Sequence, residues 1–345
     1  SGAPIGARYM HDGVRMRFFD AQSPTAKAYR QLEKGFPDSA VAITSATKDG
    51  KLLLVQIWSD RNPGDFYLFD TEKKQVDPMF SRREWFEPAN LPPTRSVELT
   101  ARDGLKLHGY LTLPMGRQPG VNQPGANQPD VNQPGAPQPM VLLPHGGPFG
   151  VFDEWWYDNE TQMLAAAGYA VLRVNYRGSG NYGRAFHLAG AREWGGELQD
   201  DLTDATRWAI AQGIADPERL GVGGRSYGGI LTNYVIASDT RFKAAVSGAG
   251  ASNWAALYGH DMYSREYELE LGTPWAQREV WERVSYPFLH AERITTPTLF
   301  YCAERDFNVP CQGSEQMYQA LRSLGVPTQL VGDLKQRGML DRTLV

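Results

Sequence analysis

The first part of the chain carries short apolar runs of the length of β-strands. Turn-forming residues separate them, at Lys48-Asp49-Gly50 and at Asn62-Pro63-Gly64-Asp65. Consecutive strands at this spacing favour a β-meander of the kind that forms a propeller blade. Since a blade takes roughly 40–50 residues, residues 1–95 are predicted to be a partial β-propeller of one or two blades. The predicted strands are Val41–Thr44, Leu52–Trp58 and Phe66–Phe69.

From Val97 onward, apolar strand patterns alternate with helical ones, so residues 96–345 are predicted to form a second domain. This alternation is typical of an α/β fold, a mostly parallel sheet with helices on both faces. Residues 252–290 interrupt it, are rich in Tyr, Trp and Glu, and are expected to pack above the sheet near its active edge. The predicted strands are Leu105–Leu113, Met140–Leu143, Ala170–Asn175, Leu220–Gly223, Phe242–Ser247, Thr298–Cys302 and Thr328–Val331, and the helices Thr161–Ala167, Glu197–Gln212, Gly228–Ser238 and Ser314–Leu324.

A proline-rich segment interrupts the second domain at residues 116–139. It holds six prolines and a five-residue Asn-Gln-Pro repeat. Proline cannot donate a backbone hydrogen bond, so neither a helix nor a central strand is compatible with this composition. A solvated, polyproline-like insertion is predicted, with a recognition segment as the alternative.

Composition and charge exclude several classes of protein. The 35 basic and 39 acidic residues give a net charge of −4, which argues against a nucleic-acid partner. No apolar run approaches the ~18 residues that a membrane span needs. No metal-ligand spacing or phosphate-binding glycine loop is present, so no cofactor is expected, and a homo-oligomer is left open. The chain begins at Ser1 without a signal peptide, the start is interpreted as internal to a longer chain, and a cytoplasmic or a periplasmic or secreted location is left open.

The clearest chemical signal is the sequence Gly224-Arg-Ser-Tyr-Gly228. It follows a predicted strand and precedes a predicted helix, the context of a nucleophile elbow. Ser226 is therefore the candidate nucleophile. His145-Gly-Gly147 follows the strand Met140–Leu143, and the backbone N–H groups of Gly147 and Tyr227 are the predicted oxyanion donors. His145 is expected to shape this loop rather than act as a base.

Acidic and basic residues elsewhere supply further candidates. Asp306 follows the strand Thr298–Cys302 and comes after Ser226, the order in which a triad carboxylate follows its nucleophile. Glu304 is the less favoured alternative. Arg177 is expected to form a structural ion pair rather than bind a substrate carboxylate. Cys302 and Cys311 flank the Asp306 loop, and two buried thiols are favoured over a local disulfide.

Several motifs in order resemble the prolyl oligopeptidase family of serine peptidases (peptidase family S9), and in particular its acylaminoacyl-peptidase and dipeptidyl-peptidase-like branch. The resemblance covers residues 35–331 and implies an α/β-hydrolase fold preceded by a β-propeller. It also implies Ser226 as nucleophile, Asp306 as triad acid and Gly147 and Tyr227 as oxyanion donors. The motifs are His145-Gly-Gly-Pro148, Asn175-Tyr-Arg-Gly-Ser-Gly180, Tyr182-Gly183, Trp194-Gly-Gly196, Gly213-Ile-Ala-Asp-Pro217, Gly223-Gly-Arg-Ser-Tyr-Gly-Gly229, Arg241-Phe-Lys-Ala-Ala245 and Asp306-Phe-Asn-Val-Pro310.

The chain departs from the family pattern at the triad histidine. The fold's order is Ser, Asp, His, yet no histidine follows Asp306; the six are His11, His108, His145, His187, His260 and His290. The resemblance puts the base in a loop after the strand Thr328–Val331, near Gly338. The C-terminus is therefore interpreted as truncated or rearranged. No imidazole is expected between Ser226 and Asp306, and residues 332–345 are expected to be poorly ordered or out of place.

These observations predict a serine-type peptidase that hydrolyses short peptides through an acyl-enzyme on Ser226. A carboxylesterase is an alternative, because the same machinery attacks esters. A catalytically impaired fragment or binding scaffold is a further alternative, because the loss of a triad member lowers turnover by ~10⁴–10⁶.

Overall fold

A computed structural model describes residues 4–10, 13–84, 87–115, 137–147 and 149–332. The chain folds into two compact units. The first unit comprises Ser1–Ser96, Tyr110–Arg117 and Glu154–Gly168, and the second comprises Val97–Gly109, Gln118–Asp153 and Tyr169–Val345.

The first unit contains a hairpin, a helix and a four-stranded meander. The hairpin pairs β1 (Gly6–Met10) with β2 (Val14–Phe18) in antiparallel register, and α1 spans Pro24–Gly35. The meander consists of β3 (Ala40–Ala46), β4 (Leu52–Trp58), β5 (Asp65–Asp70) and β6 (Gln75–Ser81), each antiparallel to the next. These strands match the predicted ones, and β6 is an additional strand that the sequence analysis did not predict.

Helix α1 corrects the prediction that residues 1–95 are β-structure alone. Ser23 caps the helix by accepting a hydrogen bond from the Ala26 N–H at 3.2 Å, and Pro24 follows at the first helical position. Ala28, Tyr29 and Leu32 then lie on one buried face. They join the apolar core of the unit with alternate residues of the meander, Leu53, Val55, Ile57 and Phe69. The helix therefore covers one face of the meander.

An eight-stranded sheet is formed by the strands β7 (Thr94–Thr100), β8 (Lys106–Thr112), β9 (Gln138–Leu142), β10 (Ala170–Asn175), β11 (Ala215–Arg225), β12 (Phe242–Gly248), β13 (Thr298–Tyr301) and β14 (Thr328–Val331). Their order across the sheet is β14-β13-β12-β11-β9-β10-β8-β7. Neighbouring strands from β14 through to β10 in this order are parallel. The chain changes its direction along the sheet between β9 and β11, so the carboxyl ends of these two neighbouring strands border the crevice at that point.

Helices alternate with the parallel strands, as predicted. The helices that follow α1 are α2 (Asn159–Ala166), α3 (Arg184–Leu188), α4 (Glu197–Ala211), α5 (Tyr227–Ser238), α6 (Trp254–Leu257), α7 (Ser264–Leu271), α8 (Arg278–Val284), α9 (Tyr286–Leu289) and α10 (Gln312–Ser323). All residues of α5 except its last are buried, and α4 buries one face that includes Leu198, Leu202 and Ala209.

Two predicted regions lie largely or wholly outside the described residues. Most of the proline-rich segment 116–139 does so, as does the tail from residue 333 onward. Strand β11 begins earlier than predicted, at Ala215, because a register shift between Ala215 and Leu220 lets the segment before the bulge continue the pairing with β9. In the part of the chain that the structure describes, no helix is long and apolar enough to cross a membrane.

Candidate active site

Ser226 lies at a sharp turn between β11 and α5. Its backbone has φ 59° and ψ −126°, a conformation that residues with a side chain rarely adopt. The turn is held from both sides, because the Ser226 N–H donates to the Gly248 carbonyl at 2.8 Å and the Ser226 carbonyl accepts from Ile230 at 3.0 Å. Ser226 thus precedes the first residue of α5, next to the positive end of the helix dipole.

The two glycines of the motif are required by close backbone approaches. A Cβ atom on Gly224 would lie 2.6 Å from the carbonyl carbon of Gly228, and one on Gly228 would overlap the carbonyl oxygen of Pro144. Gly228 therefore allows the segment that leaves β9 to pass directly over the elbow. The Gly-x-Ser-x-Gly spacing reflects this crossing of two chain segments.

The loop after β9 lies beside Ser226. A Cβ atom on Gly146 would be 3.5 Å from the Ser226 Cβ atom. Gly147 has φ +133°, a left-handed conformation that favours glycine, and it lines the same cavity as Ser226. Tyr227 is the first residue of α5, where a backbone N–H has no partner within the helix. The two predicted oxyanion donors thus border one cavity; Pro148 lies outside the described residues.

His145 supports this loop, as predicted. Its ring stacks on Tyr176 with the centroids 4.3 Å apart. Its Nδ1 lies 2.6 Å from the Gly146 carbonyl oxygen and its Nε2 lies 2.9 Å from the Ser179 Oγ. Burial lowers the pKa of His145, so the ring is held neutral. The expectation of a structural role is confirmed.

Asp306 lies in the loop after β13. Its Oδ1 accepts hydrogen bonds from the N–H groups of Asn308 at 2.9 Å and Val309 at 3.0 Å. These bonds fix the carboxylate against its own loop and bring Val309 to the wall of the cavity that contains Ser226. Asp306 itself is not among the residues that line this cavity.

A disulfide closes the same loop and corrects the expectation of two free thiols. Cys302 and Cys311 are bonded, with their Cα atoms 5.1 Å apart. The separation of nine residues between the two cysteines does not by itself predict their bond. The bond forms because the loop leaves the end of β13 and then returns towards it at the start of α10. The bridge joins the two ends of the segment that carries Asp306.

Arg177 forms the structural ion pairs that the sequence analysis favoured. Its Nε donates to Asp201 Oδ2 at 2.9 Å and its Nη2 to Asp201 Oδ1 at 2.7 Å, in a bidentate arrangement. Asp103 accepts from Nη1 at 2.9 Å, and Glu197 is a further partner. The guanidinium is 3% exposed, and its donors are occupied by carboxylates of the chain itself.

The cavity beside Ser226 has a volume of about 500 Å³. Six of its lining side chains are aromatic and two are carboxylates, Glu266 and Glu270. The sequence pattern predicts that the segment 252–290 packs near the site, and five of its aromatic and acidic residues line the cavity, Trp254, Tyr263, Glu266, Tyr267 and Glu270. The lining residues are Gly147, Phe149, Val151, Trp194, Ser226, Tyr227, Ile230, Trp254, Tyr263, Glu266, Tyr267, Leu269, Glu270 and Val309.

Five of the six histidines lie within the described residues, and none of these five is hydrogen-bonded to Ser226 or Asp306. His108 stacks on Tyr182 at 4.3 Å, and His187 contacts the edge of Phe149 at 5.6 Å. His290 is near Glu292, with Nδ1 and Oε1 3.3 Å apart. The loop in which the base was expected lies outside the described residues, as does His11. Within these residues no group of three or more His, Cys, Asp or Glu side chains could hold a metal ion.

The model of the prolyl oligopeptidase family matches residues 155–337, more than half of the chain. The chain belongs to the prolyl oligopeptidase family. The predicted resemblance is therefore confirmed, and with it the α/β-hydrolase fold of the region that contains Ser226.

Relatives within this family are peptidases by name. The chain is 32% identical to dipeptidyl aminopeptidase BIII of Pseudoxanthomonas mexicana, over 89% of this chain and 44% of the relative. It is 28% identical to the uncharacterized peptidase YuxL of Bacillus subtilis, over 91% of this chain and 45% of that protein. The chain thus spans about half the length of the curated relatives it matches.

Solved structures of similar fold also exist. A puromycin-hydrolyzing peptidase of Mycobacterium tuberculosis superposes with a TM-score of 0.70 at 29% identity, over 82% of this chain and 42% of that one. The acylaminoacyl peptidase of Pyrococcus horikoshii gives a TM-score of 0.67 at 23% identity, over 84% and 45% of the two chains. The second likeness concerns the fold alone.

Proposed function

We propose that this chain is the catalytic part of a serine peptidase that hydrolyses short peptides through an acyl-enzyme on Ser226. The observation that carries the proposal is the strained serine at the strand-to-helix turn, bordering the same cavity as Gly147 and Tyr227. Family membership supports peptide hydrolysis as the reaction.

The reaction would proceed in two halves. The Ser226 Oγ attacks the carbonyl carbon of the substrate while a base takes its proton, and the negative charge that develops on the carbonyl oxygen faces the N–H groups of Gly147 and Tyr227. The C–N bond then breaks, and the leaving amine takes up the proton. Water attacks the acyl-enzyme with the help of the same base, which releases the acid and restores Ser226.

Asp306 is proposed as the carboxylate that orients the base. Its Oδ1 already accepts two backbone N–H groups, so the carboxylate is held in one orientation, as a triad acid must be. The described histidines do not supply the base. The family pattern implies a base in the loop after β14, where this chain has no histidine, so we propose that the reaction of this chain requires a base supplied from outside it.

The substrate proposed is a short peptide. A cavity of about 500 Å³ next to Ser226 accommodates one or two residues. The names of the relatives point to two substrate types, since one is a dipeptidyl aminopeptidase and others are acylamino-acid-releasing enzymes.

The domain arrangement is a further part of the proposal. We propose that the meander β3–β6 is a single blade of a partial β-propeller. Its four antiparallel strands in sequential order are the unit from which propellers are built.

The test is covalent labelling of Ser226 followed by substrate comparison. A fluorophosphonate probe is expected to modify Ser226, and Ser226→Ala should abolish the labelling. With imidazole supplied as the base, an aminoacyl anilide should be hydrolysed by the unsubstituted protein and not by the variant. Labelling that persists in Ser226→Ala would overturn the assignment of the nucleophile, and turnover of short-chain esters without amides would favour the carboxylesterase.

A further inference from the structure

A second cavity, of about 540 Å³, is lined by residues of the first unit only. Gln56 and Trp58 form part of its wall, and they alternate along β4 with the core residues Val55 and Ile57. Because successive side chains of a strand point to opposite faces, this cavity lies on the face of the meander that α1 does not cover. Three arginines line this arginine cavity, Arg8, Arg82 and Arg83.

Arg82 is held in place from its backbone to its guanidinium. Its backbone N–H donates to the Gly64 carbonyl at 2.9 Å. Gly64 has φ +133°, and a Cβ atom there would lie 3.4 Å from the Arg82 Cδ and 3.0 Å from the Gln56 Nε2, so the glycine makes room for both side chains. The guanidinium carbon lies 5.9 Å from the centre of the Phe66 ring. Within the part of the chain that the structure describes, no carboxylate pairs with Arg82.

Arg83 is placed in a similar way by Tyr157. Its guanidinium carbon lies 5.4 Å from the centre of that ring, and its Nη1 donates to the Tyr157 hydroxyl at 3.5 Å. A guanidinium over an aromatic ring still presents N–H groups along its edge, and two such groups in one plane bind the two oxygens of a carboxylate. The arginine cavity therefore holds two positioned groups of the type that recognises carboxylates.

The acidic residues of the arginine cavity each have a partner within the protein. Glu154 lies near Arg8, with Oε2 and Nη2 3.8 Å apart. Asp158 caps α2 and accepts a hydrogen bond from the Thr161 N–H at 2.7 Å. Since three arginines and two carboxylates line the cavity, positive charge is in excess there.

Aromatic side chains supply the rest of the recognition surface. Trp58, Trp156 and Tyr157 line the arginine cavity, and Trp156 is 49% exposed. Exposed apolar surface beside a cavity is typical of a binding site. The volume falls within the roughly 300–1,000 Å³ of small-molecule sites and is much larger than a bare anion. The occupant that fits is thus a carboxylate attached to an apolar group.

We propose that the arginine cavity binds the C-terminal residue of a peptide. The terminal carboxylate would accept hydrogen bonds from Arg82 and Arg83, and an aromatic side chain would pack against the tryptophans. Glu154 and Asp158 are already engaged, so an ammonium group meets no uncompensated carboxylate, which favours the end of a peptide over a free amino acid. This binding site is separate from the proposed reaction, because Ser226 does not line it.

Calorimetric titration of the unsubstituted chain with two matched ligands tests the proposal. N-Acetyl-L-phenylalanine carries the carboxylate, and N-acetyl-L-phenylalaninamide has nearly the same shape without the charge. At pH 7 and low salt we expect the acid to bind about tenfold more tightly than the amide, and 0.5 M NaCl should reduce the difference. Binding in the cavity beside Ser226 would give the opposite preference, because the two charged side chains among its described lining residues are carboxylates.

Two further ligands identify which chemistry is recognised. L-Phenylalanine has the same carboxylate and ring with a free ammonium group, and inorganic phosphate is an anion without a ring. Both are expected to bind at least fivefold more weakly than N-acetyl-L-phenylalanine. L-Phenylalanine that binds as tightly would overturn the assignment to a peptide end, and phosphate that binds as tightly would overturn the role of the aromatic surface.

Variants test the assigned arginine. Arg82→Gln should abolish most of the preference for the acid, whereas Arg82→Lys keeps the charge without the planar donors and should retain only part of it. Arg17→Gln is the matched control, because Arg17 is an exposed arginine of β2 in the same unit and does not line the arginine cavity. It removes the same charge and should leave the preference unchanged.

Equal binding of the acid and the amide to the unsubstituted chain would overturn the proposal, and this comparison does not depend on a variant folding. So would an Arg17→Gln protein whose preference falls as much as that of Arg82→Gln, because the preference would then reflect overall charge. None of these titrations requires turnover, so failure of the proposed reaction at Ser226 leaves the result intact.

Discussion

At the scale of single residues, the chemistry depends on Ser226 and on what surrounds its hydroxyl. Among the described residues, the backbone geometry of a nucleophile elbow is complete, whereas no imidazole is bonded to Ser226 or to Asp306. A serine without a base is a weak nucleophile.

An added base should therefore accelerate labelling. Imidazole, supplied in solution, is expected to increase the rate of fluorophosphonate labelling at Ser226 by about tenfold or more, since a general base contributes 10²–10⁴-fold in serine hydrolases. The rate constant, measured against imidazole concentration, should rise and then saturate. Ser226→Ala should show no labelling at any concentration. Rapid labelling that imidazole does not affect would contradict this prediction, because the chain would then supply its own base.

His145 gives the stability a pH dependence whose sign follows from its burial. Burial lowers the pKa of His145 in the folded protein, whereas the unfolded chain takes up a proton near the usual value of about 6.5. The unfolded state thus binds more protons below that pH, and the free energy of unfolding falls as the pH decreases, by up to about 1.4 kcal/mol per unit.

The measurement is urea denaturation at a series of pH values between about 7.5 and 5. His145→Gln should show a shallower dependence than the unsubstituted chain. Equal slopes for the two proteins would show that His145 does not titrate as its burial requires.

At the scale of elements, the site depends on the crossing of the β9 loop over the start of α5. The crossing is possible because Gly228 has no side chain, and a Cβ atom there would overlap the Pro144 carbonyl. The loop that carries Gly146 and Gly147 is thereby positioned by backbone packing. The Cys302–Cys311 disulfide acts similarly on the Asp306 loop by joining its two ends.

Two Gly→Ala substitutions distinguish the clash at this crossing from the general effect of replacing a glycine. Gly228→Ala is expected to destabilise the protein by about 2 kcal/mol or more and to lower labelling of Ser226, because the β9 loop must move. Gly221→Ala is the control in the preceding strand, where the nearest atom to the new Cβ would be 3.6 Å away, an ordinary contact. Thermal unfolding and the labelling rate measure both effects. A Gly228→Ala protein as stable as Gly221→Ala would show that the crossing is looser than described.

At the scale of the whole molecule, the chain matches nearly half of each relative's length, 44% and 45% in the two examples above. The matched family region, residues 155–337, includes Ser226, Tyr227 and Asp306. Gly147 and the rest of the β9 loop precede that region. Measuring which peptides this chain and its full-length relatives each hydrolyse would therefore test whether the matched region alone sets the choice of substrate.

The sequence by itself determined the features that depend on local spacing. The strands β10 and β14 were predicted with their observed bounds, and the elbow was recognised from five consecutive residues, because the turn requires glycines at fixed positions. Helix α1 is not among the predicted elements although Ser23 and Pro24 carry a capping signal, because a capping signal is short and the segment around it has the pattern of strands.

Only the tertiary structure decided which distant residues meet. Cys302 pairs with Cys311 because the loop returns towards the end of β13, and Glu266 and Glu270 face the Ser226 cavity because of where α7 packs. Neither result follows from a local pattern: a cysteine or glutamate has the same local preferences whether its side chain meets a partner, a cavity or solvent. Those environments are set by the topology of the sheet, which brings together segments that lie far apart along the chain.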